Sequence, residues 1–534
     1  MTFQLLSADA KLQSRLQRIV KPIGLLLLLI NAQLHILPQA VVAKNASRLQ
    51  AGRHTAVNSL DTSSVSQAEK FKPANFLCPA QLGVAIESVT NRPQFNRVRW
   101  GILIETLSTS RTIYSRDAQK YFIPASNVKL LTTAAVLHQL GSQYRIRTPV
   151  YGTSNGFLRI VGRGDPSLTD TQLRQLAQQL SRRGIRQVRQ LLADDNYFQG
   201  YAVNPSWEWE DVQADYGAPV NSLILNQNAV MLTLLPQQLS QRVRVIWADP
   251  TEATRWRIEN ESVTTKPGEP TSINVNRGLK GSILKISGQI AVDSEPESVS
   301  LAVIDPIGHF LRHFRRALLA EGIKETTNAS AITAISDNIR YRLRLSVAPE
   351  LAAVESPPLS QLLVETNQNS NNLYAEALLR TLAANSNTPV ITSTEMGLSI
   401  VKETLTRLGV DPAGYVLVDG SGLSRHNLVS PEVIVQTLKA MAKSPVAAVY
   451  RGSLPVAGIS GTLKDRFRET AAQGIMQGKS GTMSGVVALS GYLDVPNYEP
   501  LVLSIIVNQS DQPAAVLRQA IDEIVLLVTR LHSC

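Results

Sequence analysis

Phe122-Ile123-Pro124-Ala125-Ser126-Asn127-Val128-Lys129-Leu130-Leu131-Thr132-Thr133-Ala134-Ala135 is the stretch from which the fold is read. Pro124 and Ala125 lead into helix-forming residues, and Val128, Leu131 and Ala135 fall at i, i+3 and i+7, the spacing of one buried helix face. A helix is therefore expected to start near Ser126. On it Ser126 and Lys129 stand three residues apart and face the same way, which brings an amine within reach of a hydroxyl. A hydroxyl attacks nothing at neutral pH until a base takes its proton. Lysine can be that base only where burial or a neighbouring cation keeps it neutral. The pair is a candidate nucleophile and base.

S-x-x-K alone is weak, since average composition yields it about twice by chance in a chain of this length. Ser282-Ile283-Leu284-Lys285 and Ser399-Ile400-Val401-Lys402 are such copies. The first lies in an alternating, strand-like run, where positions i and i+3 point to opposite faces. The second lies inside a predicted helix with no turn before it. Only Ser126 has the entry a nucleophile needs.

The 534 residues suffice for two or three domains with proper cores. Hydrophobic content of 44% and charge of 18% mark an ordinary globular chain. The net charge of +11 reads first as a solvated basic surface, and second as affinity for anionic wall polymer or lipid. No basic run interleaves with aromatics, so nucleic acid is not an expected partner. Residues 1–43 have the layout of an export signal: Lys11, Arg15, Arg18 and Lys21 precede an apolar run from Gly24, and Val41-Val42-Ala43 offers small residues for cleavage. The apolar run is too short and broken for a membrane span. Left uncleaved, it would keep the chain at the membrane periphery. Cys78 and Cys534 are either a disulfide, as an exported chain allows, or two free thiols.

Residues 44–72 read as a flexible leader rich in Ser, Thr, Ala and Asn. A helix is predicted over Phe76–Val89, then strands at Val98–Glu105 and Thr112–Ser115 before the Ser126 helix. Past Tyr144 the pattern changes. Strand 158–161, Asp165-Pro166 as N-cap and first helical residue, a helix closed by Gly184 and strand 188–192 form a unit. It recurs as strand 299–304, Asp305-Pro306 and a helix closed by Gly322, with strand-rich segments between. Residues 155–345 are accordingly taken as an inserted, β-rich body of one or two subdomains, splitting a catalytic domain into 73–154 and 346–534. The chain should end in three antiparallel strands and a helix from Pro513 to Leu531.

Three motifs occur in order: Ser126-x-x-Lys129, Ser370-x-Asn372 and Lys479-Ser480-Gly481-Thr482. Ser272-Ile273-Asn274 also matches the second, so the ordered triple carries the weight. With it the sequence resembles the penicillin-binding proteins that act as D-alanyl-D-alanine carboxypeptidases and endopeptidases, the type with a long insertion between its first two motifs. The likeness spans most of 76–534 and takes in Gly164-Asp165-Pro166, Tyr216-Gly217-Ala218-Pro219-Val220, Ser356-Pro357-Pro358-Leu359, Asp419-Gly420-Ser421-Gly422-Leu423-Ser424-Arg425 and Leu454-Pro455-Val456-Ala457-Gly458. Ser480 replaces the family's usual Thr and keeps the hydroxyl.

The resemblance implies an α+β fold like that of β-lactamases, an antiparallel sheet flanked by helices, with a helical subdomain bearing Ser126 and Ser370 and the inserted body away from the catalytic groups. It implies Ser126 as nucleophile, Lys129 as base, and Ser370 as proton relay to the leaving amine. Asn372 would hold the substrate amide, and Lys479, Ser480 and Thr482 the terminal carboxylate, with Lys479 repelling the proton from Lys129. Peptidoglycan peptide would be the substrate and β-lactams the acylating inhibitors, with no cofactor. The competing readings are a β-lactamase, which needs a carboxylate-held water, and a non-catalytic wall-binding protein. Glu376, Glu395, Glu403 and Glu432 follow Asn372, none in an E-x-x-x-N setting. His309 and His313 stand i, i+4 as in zinc peptidases, but Phe310 replaces the Glu of H-E-x-x-H and Arg312 adds repulsion, so no metal is expected. Arg163-Gly164-Asp165 reads as part of a helix cap, and Arg425 and His426 as solvated loop charges.

Overall fold

The computed structural model describes residues 76–154, 156–278, 281–332, 348–383 and 392–534. The expected signal at 1–43 and leader at 44–72 lie outside the described residues.

Burial on both faces shapes the central sheet. Its strands are β1 (Arg99–Thr106), β2 (Thr112–Arg116), β3 (Met476–Met483), β4 (Val486–Leu493) and β5 (Leu501–Asn508), in the order β3-β4-β5-β1-β2 with every neighbouring pair antiparallel. Successive side chains of a strand point to opposite faces, so β5, buried at every position, feeds two cores. Leu503 and Ile505 join Ile102 and Ile104 beneath helices α1 (Pro79–Thr90) and α7 (Ala514–Val528), against Leu82, Ile86, Leu517 and Ile524. Val502 and Ile506 join Leu103 and Tyr492 on the other face, against the helical subdomain. Each such side chain contributes roughly 1.5–3 kcal/mol by leaving water.

That subdomain holds α2 (Val128–Leu140), α3 (Leu359–Gln368), α4 (Asn372–Ala383), α5 (Ser393–Arg407) and α6 (Pro431–Ala442). Every residue of α2 from Val128 to Leu137 is buried, so this helix is an axis that the others surround, rather than the one-faced helix the i, i+3, i+7 spacing suggested. Cys78 and Cys534 are joined by a disulfide, with Cα atoms 5.7 Å apart, which settles the alternative left open by the sequence. Beside it Leu77 N donates to Arg530 O (2.9 Å) and His532 N to Leu77 O (3.1 Å).

The inserted body has two parts. One is a five-stranded sheet in the order 324–332, 187–194, 157–161, 147–152, 350–355, parallel in its first two pairings and antiparallel in its last two. Helices Asp170–Arg182 and Pro306–Ala320 pack on it through Leu173, Leu176, Phe310 and Phe314. The other part is a three-stranded and a four-stranded sheet sharing a core of Trp247, Trp256, Leu284 and Ile286. The body is thus α/β in one half and β only in the other. Its first sheet takes in 147–152 and 350–355, outside the expected 155–345, because Val150 and Val354 pack into the same core as Leu158 and Ile160.

The two helix starts of this body differ. Asp305 caps Pro306–Ala320 as expected, its carboxylate accepting from Gly308 N at 2.9 Å. Asp165-Pro166 does not open a helix: the Asp165 carboxylate accepts from Ser167 N (2.9 Å) and Ser167 Oγ (2.6 Å), closing a local turn. The helix begins at Asp170, where Thr169 and Gln172 form the capping box.

Candidate active site

Ser126 lies on a tight turn, Ala125–Asn127, that runs directly into α2. Ala125 has φ +48°, a left-handed conformation that a side chain adopts at a cost and that persists only where its surroundings hold it. Three contacts hold it here. Asn127 Nδ2 donates to Ser490 Oγ (2.7 Å), which is bonded in turn to Ser504 Oγ (2.9 Å), tethering the turn to β4 and β5. Asn508 accepts from Ile123 N (2.7 Å) and donates to Ile123 O (3.0 Å). Gly422 and Gly481 press close: a Cβ on Gly422 would meet Ala125 O at 1.9 Å, and one on Gly481 would meet Ser126 N at 3.0 Å. Both positions therefore need glycine.

Around this turn the motif residues converge. Lys129 Nζ is 3.1 Å from Ser126 Oγ and donates to Asn372 Oδ1 and Ser421 O, each at 2.6 Å. Lys479 Nζ, on β3, donates to Ser370 Oγ (2.9 Å) and Ser480 O (2.8 Å). Ser370, with φ +56°, and Asn372 lie at the start of α4, so one short loop delivers both between the two lysines. Ser480 Oγ donates to Thr462 Oγ1 at 2.7 Å, and Thr482 stands exposed two residues further on. The duplicate motifs take no part, since Ser272 and Ser282 belong to the inserted body and Ser399 to α5.

Both lysines are fully buried. Burial lowers the Lys129 amine to about 7, with Asp419 and then Glu376 pulling it partway back. Burial, and after it the charge of Lys129, pushes Lys479 well below the usual lysine range. In both lysines burial is the first cause of the lowered amine, and the repulsion between them comes after it.

Several residues named in the sequence without a place in the site belong to it. Glu376, raised to about 7 by burial and by Asp419, accepts from the amides of Gly420 and Ser421, both at 2.8 Å. Asp419 accepts from Gly422 N (2.8 Å), Asn427 Nδ2 (2.8 Å), Ser424 N (2.7 Å) and Trp207 Nε1 (3.0 Å). These carboxylates shape the loop whose Ser421 carbonyl meets Lys129. One signal was available: Glu376 lies four residues after Asn372, on the same face of the helix, and between the apolar residues Ala375 and Ala377. The inserted body is also not remote from the site. Tyr216 O accepts from Asn372 Nδ2 (2.9 Å), Gln227 Oε1 from Asn371 Nδ2 (2.7 Å), and Val220 O from Arg380. Arg425 is no solvated charge either: it pairs with Glu208 (3.1 Å) and donates to Ser484 O (3.1 Å).

An antiparallel sheet flanked by helices, with a serine and a neutral lysine at the head of a buried helix, defines a serine acyl-transfer enzyme of the penicillin-binding and β-lactamase-like class. The profile of the D-Ala-D-Ala carboxypeptidase 3 (S13) family matches residues 82–531. The chain belongs to this family, and is a serine-type DD-peptidase. It is 32% identical over 456 residues, covering 81% of this chain and 82% of the relative, to a D-alanyl-D-alanine carboxypeptidase of an Actinomadura species. To the D-alanyl-D-alanine carboxypeptidase DacB of Haemophilus influenzae it is 24% identical, over 78% of this chain and 87% of the relative. The crystal structure of penicillin binding protein 4 (dacB) from Haemophilus influenzae has the same fold, with a TM-score of 0.72 at 22% identity over 84% of this chain and 99% of that one.

Proposed function

We propose that the chain is exported and cleaves D-alanyl-D-alanine ends, or peptide cross-bridges, of peptidoglycan through an acyl-enzyme on Ser126. The observation that carries this reading is the 3.1 Å contact between Ser126 Oγ and a fully buried Lys129 amine held at about 7. Neutral Lys129 takes the hydroxyl proton as Oγ attacks the penultimate D-alanine carbonyl. The amides of Ser126 and Thr482 stabilise the oxyanion, and Ser370 passes a proton to the departing D-alanine amine. Asn372 holds the peptide amide. The terminal carboxylate lies against Lys479, Ser480 and Thr482 and draws a proton onto Lys479, since an anion beside a buried amine favours its charged form. Water then releases the shortened peptide. β-Lactams acylate the same serine and are the expected inhibitors. The Cys78–Cys534 disulfide supports export to an oxidising compartment.

The arrangement favours a peptidase over a β-lactamase. Glu376, the carboxylate whose charge acts on Lys129, is fully buried: Oε1 accepts from two backbone amides, and Oε2 has no hydrogen-bond partner and no exposure to the solvent that would supply a deacylating water. Fluorescent penicillin should leave a stable adduct that maps to Ser126, and a D-alanyl-D-alanine peptide should release D-alanine. Rapid turnover of penicillin would favour the β-lactamase, and a chain that releases no D-alanine and keeps its biological role in Ser126→Ala would favour a non-catalytic binding protein.

A further inference from the structure

Away from the cleft, His309 and His313 lie one turn apart on the helix Pro306–Ala320, with ring centroids 4.3 Å apart. His309 is 2% exposed, and neither of its ring nitrogens makes a hydrogen bond. A buried polar group left this way costs free energy and calls for a missing partner. Glu252, buried on the turn Pro250–Arg255, brings Oε1 to 3.7 Å from His309 Nδ1. Asp249 Oδ2 lies 3.6 Å from His313 Nε2. One ligand atom each from Glu252, His309 and His313 falls within 4.8 Å of the other two. These gaps are too long for hydrogen bonds, yet ligand atoms 2.0–2.2 Å from a tetrahedral zinc ion stand about 3.4 Å from one another. His313 Nδ1 is bonded to Asp170 Oδ1 at 2.6 Å, which leaves Nε2 directed at Asp249. A carboxylate on the far nitrogen is the support that histidine ligands ordinarily have.

We propose that Glu252, His309 and His313, with a water in the fourth position, form a structural site for a divalent transition-metal ion of the zinc class. The ion would clamp the helix of the α/β half to the turn that leads into the β half. The sequence argued against a metal because Phe310 stands where H-E-x-x-H has Glu; in the fold the carboxylate comes from Glu252. Three carboxylates, Glu252, Asp249 and Asp170, lie here with three arginines, Arg255, Arg312 and Arg316, so overall charge does not call for a cation; the bare imidazole does. Arg312 donates to Glu252 (3.2 Å) and Arg316 to Asp249 (2.6 Å), and Arg316 also lies 3.0 Å from His313 Nε2. These guanidiniums are the counter-charges of the ion-free state. Their side chains are 31% and 45% exposed, which leaves them room to swing into water as an ion enters.

The test is a Co2+ titration of the chelator-stripped full chain followed by its visible spectrum, with Zn2+ competition against a chromophoric chelator. One ion per chain is expected, with a tetrahedral spectrum and no thiolate band, since both cysteines are in the disulfide. His309→Gln and Glu252→Gln should abolish uptake, and Asp170→Asn should weaken it roughly 10–100-fold. Penicillin labelling should be unchanged in all three and reports that they fold. Absence of stoichiometric uptake by the unmodified chain, or an octahedral spectrum, overturns the proposal. Uptake that survives His309→Gln overturns it as well, because the ion then sits elsewhere. Where a variant fails to fold, the spectrum and stoichiometry of the unmodified chain decide.

Discussion

The two walls of the cleft carry the same group in opposite surroundings. Lys129, on the helical wall, is flanked by Asp419 and Glu376, which partly offset its burial. Lys479, on the sheet wall, donates to a hydroxyl and a carbonyl, and among the described residues no acid offsets its burial. One wall is balanced by its own carboxylates; the other waits for an anion. A proton acceptor must work before and after substrate arrives, whereas a carboxylate-binding amine gains from being incomplete until then. That difference fits the roles proposed above, Lys129 as base and Lys479 as carboxylate-binding cation, although both are buried lysines.

The largest expected effect comes from Ser126→Ala, which removes the atom both walls serve. D-alanine release should fall by a factor on the order of 10^4–10^6 and penicillin labelling should vanish; a variant still labelled elsewhere would dissolve the comparison. Next is Lys479→Met, which strips the waiting wall. For a peptide ending in a free carboxylate kcat/KM should drop roughly 10^2–10^3-fold, and for the same peptide ending in an amide much less. Equal losses would show that Lys479 does not meet the carboxylate.

A third measurement sharpens the balanced wall. Acylation by a chromogenic cephalosporin should quicken as pH rises through about 7, where Lys129 loses its proton. Glu376→Gln removes the share of negative charge that Glu376, itself raised to about 7, carries there, so the limb should move modestly to lower pH. A limb that stays in place would assign the titration to another group. The smallest effect is expected from Trp207→Phe, which deprives Asp419 of one donor and should cost about 1–3 kcal/mol in denaturant unfolding, with Ser126 still acylated.

Much of the catalytic half was legible because its elements repeat with a period. The runs of β4 and β5 each have a signature within a dozen residues, from which three antiparallel C-terminal strands were read, whereas the convergence at Ser126 was implied by the resemblance that the three ordered motifs carry. Environment was less legible. Nothing local in Asp419 or Glu376 says that its carboxylate will end beneath an amine, and Glu252 lies too far from His309 in sequence for spacing to join them. Asp165-Pro166 was misread because a carboxylate followed by proline suits a helix cap and a tight turn alike, and Ser167 decided for the turn. The inserted body was placed away from the site because strand and helix patterns carry no address; it took the Tyr216 carbonyl against Asn372 to show its nearness.

The sheet order also bears on synthesis. β1 pairs with β2 on one edge and with β5, the last strand among the described residues, on the other. At roughly 5–20 residues per second, tens of seconds pass after β1 emerges before β5 can cover it. For that interval the nucleophile turn lacks Ser490, Ser504 and Asn508, the anchors that hold Ser126 in place. A nascent chain is therefore catalytically silent until its closing segment has been delivered, and any truncation short of β5 leaves a sticky open edge in place of an enzyme.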